Sequence, residues 1–145
     1  MSRMSTLAKI CERYNVSLMY LFGSSEKLAR QIIEGSMPEN RDPLADIDVG
    51  VVFSNALPVG RERAMLYSLL FNDLEDVFLP FALDLVFLEE NHAVFQAEAI
   101  KGQCVYAAST DARLDYEEAI LRRACDFRPF LEMYYAERLG VEANG

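Results

Sequence analysis

Apolar residues run along this chain in two rhythms. Between Ser5 and Tyr14, Leu7, Ile10, Cys11 and Tyr14 recur at helical spacing, with Ser5 or Thr6 as the expected N-cap. Val16–Phe22 then reads as a strand, and Gly23-Ser24-Ser25 as a tight turn into a helix over Glu26–Glu34 that Gly35 ends. In that helix Leu28, Ile32 and Ile33 are expected inward. Ser36–Ala45, with two prolines and several charges, reads as a polar loop. Ile47–Phe53 is a second strand: Ile47, Val49, Val51 and Phe53 share one face, and Asp46, Asp48, Gly50 and Val52 the other. Helical steps return over Arg61–Leu79, carried by Ala64, Leu66, Tyr67, Leu70, Phe71, Leu74, Val77 and Phe78. Pro80 separates this helix from a third strand, Phe81–Leu88. A short helix (Asn91–Ile100), a short strand (Cys104–Ala107) and a long helix (Ala112–Leu139) complete the chain. The long helix carries Ile120, Leu121, Ala124, Phe127, Leu131 and Tyr134 or Tyr135 on one stripe, and Pro129 is expected to kink or divide it. Helices interspersed with strands predict an α/β (α+β) domain with a mixed sheet, occupying residues 1–145 as one unit with a C-terminal helical segment at about 112–139.

Composition narrows the chemistry. Hydrophobic residues make up 52% of the 145, enough for a true core. A formal net charge of −9 argues against an extended phosphate-tracking groove for nucleic acid, although a local pocket for one nucleotide stays compatible with it. Cys11, Cys104 and Cys125 have no metal-type spacing, and the lone His92 cannot build a zinc site with them. The odd cysteine number, the lack of a signal-peptide core and the lack of a transmembrane-length apolar run predict a cytoplasmic protein with reduced thiols and no membrane contact.

Against that background three carboxylates stand out. Asp46 and Asp48, two residues apart at a strand start, point the same way. Held side by side they repel, and a divalent cation such as Mg²⁺ suits an all-oxygen set. Asp84 interrupts the apolar run VFLPFALDLVFL, where an unpartnered buried charge would cost several kcal/mol. If the second and third strands are neighbours, the three converge. Gly50, on the carboxylate face, is expected to leave room for a ligand. Gly23-Ser24 before a helix is an anion seat: Gly lets the backbone turn close, free N–H groups donate, and the helix dipole favours negative charge. A phosphate seat facing metal-binding carboxylates is the equipment of phosphoryl or nucleotidyl transfer.

These residues carry a resemblance. LFGSS, ADIDVGVVF and LDLVFL resemble the strand-GS, D-x-D and third-strand Asp pattern of the minimal nucleotidyltransferases of the DNA polymerase β superfamily. The stretch AIKGQCVYAASTDARLDYEEAILRRACDFRPFLEMYYAERL resembles the C-terminal part of MNT-type antitoxins, so the likeness runs from about Leu18 to Leu139. The resemblance implies a nucleotidyltransferase fold. It implies Gly23 and Ser24 at the nucleotide phosphates, and Asp46, Asp48 and Asp84 as catalytic metal ligands. It also implies Mg²⁺ as cofactor, ATP as substrate, and transfer of AMP to a tyrosine of a HEPN-type toxin partner. Two features depart from the pattern. Between Ser24 and Asp46 lie 21 residues, about twice the usual spacing, and Ser25-Glu26 stand where an Arg often follows the GS. Extra length in a helix and loop leaves strand register free and costs roughly 0.6 kcal/mol per doubling. Positive charge for a triphosphate would have to come from Lys27, Arg30 or Arg41. The alternative reading is a catalytically degenerate antitoxin or binding module that neutralises its partner by direct binding. Self-association into a homo-oligomer stays open.

Overall fold

The computed structural model describes residues 2–36 and 45–126. Arg41, Pro129 and the helix expected beyond Asp126 therefore lie outside the described residues. Among the described residues five helices and four strands alternate: α1 (Arg3–Arg13), β1 (Val16–Phe22), α2 (Glu26–Ile33), β2 (Asp46–Phe53), α3 (Gly60–Phe78), β3 (Ala82–Phe87), α4 (Ala93–Ile100), β4 (Gln103–Ala107) and α5 (Thr110–Cys125). A single turn of 3₁₀ helix over Leu88–Glu90 joins β3 to α4.

The strands form one mixed sheet in the order β3-β2-β1-β4. β1 runs antiparallel to β2 and β4, while β2 and β3 are parallel. Both faces carry helices, and the buried strand residues fall into two apolar layers. Met19, Leu21, Ile47, Val49, Val51, Leu83, Leu85 and Phe87 face a core built with Leu7, Ile10 and Cys11 of α1, Ile32 and Ile33 of α2, and Leu70, Leu74, Val77 and Phe78 of α3. Leu18, Tyr20, Val52 and Leu88 face the other way, toward Ala99 of α4 and the partly buried Tyr116 of α5. α4 and α5 are joined through Ala97, Ile120 and Ala124. The two faces of the Ile47–Phe53 strand are thus divided as its alternation predicts.

Five expectations need correction. The first helix starts earlier than expected and is capped by Ser2, whose side chain accepts from the Ser5 N–H; Ser5 and Thr6 lie inside it. Ala64 is exposed on α3, and Ala29 takes the fully buried place on α2 that Leu28 fills only in part. Leu121 is 50% exposed, because α5 meets the rest of the molecule through Ile120 and Ala124 on a narrower stripe. Gly50 leaves no space for a ligand: a Cβ there would overlap the fully buried Leu88 side chain, so the glycine admits the 3₁₀ turn against the sheet. His92 caps the start of α4, its ring Nδ1 accepting from the Val94 N–H at 3.1 Å.

Candidate functional site

The sheet's connectivity brings the singled-out residues to one end. β1 finishes where β2 begins, because the pair is antiparallel, and Phe22 lies opposite Asp48. β3 begins alongside β2, because that pair is parallel, and Asp48 lies beside Asp84 with Asp46 beside Ala82. Residues paired across neighbouring strands share a face. Phe22, Asp48 and Asp84 therefore stand in a row across three strands, on the face that α4 and α5 cover, with Asp46 one step toward the open end. Gly23 and Ser24 follow directly from Phe22.

Gly23 is tied to the carboxylates by more than sequence. Its φ is +78°, a left-handed conformation that side chains disfavour, and a Cβ built on it would overlap Asp48 Oδ2. The bend thus passes against the Asp48 carboxylate, on the side where the expected anion seat is useful. Among the described residues, the N–H groups of Ser24, Ser25, Lys27 and Leu28 have no backbone acceptor, and the first bonds of the turn are Glu26 N–H to Gly23 O (3.4 Å) and Ala29 N–H to Ser25 O (2.9 Å). Donors without internal acceptors at a helix start, with the dipole behind them, favour an anion.

Electrostatics of the carboxylate row are uncompensated. Burial first, then the Asp84 charge and a hydrogen bond with Asp84, then the Asp46 charge, push the Asp48 carboxyl up to about 6. The ion pairs among the described residues (Arg13–Asp73, Arg30–Glu34, Arg63–Glu90, Lys101–Glu98, Arg113–Glu117 and Arg122–Glu118) include none of the three. Asp84 is exposed, contrary to the expectation of a charge inside a buried strand: only one residue of β3 precedes the pair Leu83-Asp84, so its side chain emerges at the open end. Asp46 is exposed as well. Asp48 and Asp84 are cross-strand partners of β2 and β3. As placed, no group of three or more His, Cys, Asp or Glu among the described residues stands close enough to hold a metal. The donor set nevertheless fits a divalent cation: hard oxygen ligands of one sign, two of them cross-strand partners, and none of the three in an ion pair of the described residues.

Two residues beside this row carry no motif. Phe22 meets Phe95 of α4 edge to face, ring centroids 5.9 Å apart at 89°. Tyr67 of α3 donates to the Leu85 carbonyl at 3.0 Å from the opposite face, and the Asp84 charge contributes to holding its hydroxyl above the ordinary tyrosine range, second to burial. The alternation along β1 could have marked Phe22 as a neighbour of Asp48, but no local signal marks Phe95. Of the cations considered for the phosphates, Arg30 is held by Glu34 at 2.6 Å; Lys27 is exposed on the first turn of α2.

Comparison with known proteins fits this geometry. The family model described as polymerase beta, nucleotidyltransferase matches residues 5–111. Among solved structures, a toxin–antitoxin complex with AMP-PNP shares the fold at 16% identity, with 94% of this chain and 98% of that chain covered and a TM-score of 0.60. A tri-AMPylated Shewanella oneidensis HEPN toxin in complex with MNT antitoxin matches at 16% identity over 94% of this chain and 96% of that chain, TM-score 0.57. An MntA–HepT toxin–antitoxin structure matches at 16% identity over 95% and 94%, TM-score 0.51. At such identities the likeness shows a common fold. No curated protein sequence matches the chain.

Proposed function

The chain belongs to the polymerase beta nucleotidyltransferase family, and on that premise we propose that it transfers AMP from ATP to a tyrosine hydroxyl of a HEPN-type toxin, with Mg²⁺ as cofactor. The observation that carries this reading is the overlap that a Gly23 Cβ would make with Asp48 Oδ2, since it sets the anion seat against the carboxylate row. Gly23 and Ser24 hold the phosphates through backbone N–H groups and the Ser24 hydroxyl. Asp46, Asp48 and Asp84 would hold the cation, which when bound would supply charge neutralisation at the phosphates. Asp84, exposed at the open end, is placed to accept the proton of an incoming hydroxyl. The solved relatives include a tri-AMPylated HEPN toxin in complex with an MNT antitoxin, which supports the acceptor class.

Labelled ATP, Mg²⁺ and a cognate HEPN protein test this. Transfer of label to toxin tyrosine is expected, and Asp48→Ala should lower the rate on the order of a thousandfold, several kcal/mol of charge stabilisation. Equal labelling by wild type and Asp48→Ala, or none by either, refutes it. A second reading, neutralisation by binding alone, draws on Glu26 in the first turn of α2 and on the engagement of Arg30 by Glu34. Toxin neutralisation that survives Asp46→Ala with Asp48→Ala favours it.

A further inference from the structure

We propose that Phe95 is the stacking platform for the nucleobase of the bound triphosphate, with Phe22 as the ring that positions it. This rests on the nucleotidyltransferase reading and adds a base-binding residue to that same site. Phe95 is 39% exposed, and it is the one aromatic among the large exposed apolar side chains of the described residues. α4 does not need it for docking: Ala93, Gln96, Ala97 and Ala99 are the buried positions of that helix. Its neighbour is Phe22, which lies opposite Asp48 and directly precedes the Gly23-Ser24 bend. The ring thus stands one aromatic away from the phosphate seat, on the carboxylate face of the sheet. In an edge-to-face pair Phe22 covers at most one face of Phe95, and the residue keeps 39% of its surface exposed, where the base is seated. Phosphates held at Gly23-Ser24 tether a nucleoside within reach of that surface. Every base has a π-face, so stacking here adds affinity for nucleoside triphosphates without selecting strongly among them.

Calorimetry with Mg²⁺ present separates base from phosphate contributions. MgATP and inorganic tripolyphosphate are titrated into wild type, Phe95→Ala, Phe95→Trp and Asp48→Ala. Phe95→Ala should weaken MgATP about tenfold, within the range of single base–aromatic stacks, and leave tripolyphosphate unchanged; Phe95→Trp should restore MgATP binding. Unchanged MgATP affinity in Phe95→Ala overturns the proposal, as does equal weakening of both ligands, which marks a structural role. A loss seen only in KM for the acceptor protein also overturns it and assigns the ring to the partner. If wild type binds neither ligand and Asp48→Ala behaves the same, the nucleotidyltransferase reading fails and takes the proposal with it. If binding depends on Asp48 but not on Phe95, only the proposal fails.

Discussion

The two ends of the sheet are built by opposite rules. At the Phe53 end polar groups are matched: Ser17 Oγ donates to Val52 O at 3.1 Å, Ser54 N–H to Asn15 O at 2.8 Å, and Glu89 accepts the Phe53 N–H at 3.2 Å. Beyond it Asp73 takes both Arg13 and the Tyr14 hydroxyl, at 2.9 and 2.6 Å. At the Asp48 end three carboxylates share a patch outside every ion pair of the described residues, beside N–H donors that have no backbone acceptor. Both ends rest on the same strands and the same apolar layers. One end is closed by its own hydrogen bonds, and the other keeps its carboxylates outside the ion pairs of the described residues.

Substitutions at each end sharpen that contrast. The largest effect is expected from Gly23→Ala, which forces a side chain into a positive φ and onto the Asp48 carboxylate; about 2–3 kcal/mol of stability should be lost, with transfer activity lost alongside, as urea melts and label transfer will measure. Next is Gly50→Ala, which overpacks Leu88 and should cost about 1–3 kcal/mol in the same melts, partly recovered in the double variant with Leu88→Ala. At the closed end Ser17→Ala removes a buried hydrogen bond, leaves the paired Val52 carbonyl short of a donor, and should cost about 1 kcal/mol without touching transfer.

The smallest effect is a pH slope. Folded Asp48 keeps its proton up to about 6, against an ordinary value of 3.8. Between those values the folded chain binds more protons than the unfolded one, so without divalent cation this group's contribution to stability falls as pH rises through the window and levels off above it. Asp48→Asn should lose that slope and melt higher than wild type above the window in EDTA. If the two thermal-melt profiles coincide at every pH, the carboxylate row is not uncompensated.

Much of this was legible because burial on both faces leaves a strong record in strands. Val16–Phe22 is read with its observed bounds, and the apolar runs around Asp48 and Asp84 place both on strands that turn out to be neighbours. What stayed hidden depends on distant partners. The run VFLPFALDLVFL reads as wholly buried, yet Asp84 is exposed because its position relative to the sheet's edge is a property of pairing. Gly50 reads as a gap for a ligand, and the atoms that fill the gap come from Leu88, after the next strand. Phe95 belongs to no motif, and only its contact with Phe22 gives it a place near the carboxylates.

The antiparallel pairing of β1 with β2 has a consequence for the long stretch between Ser24 and Asp46. Chain leaves the sheet just after Phe22 and re-enters at Asp46, two residues before Phe22's partner Asp48, so that excursion departs from and returns to the same rim. The spacing of the wall beneath is set by the β1–β2 pairing and not by the length of chain between the two strands, as a vessel's wall does not depend on its handle.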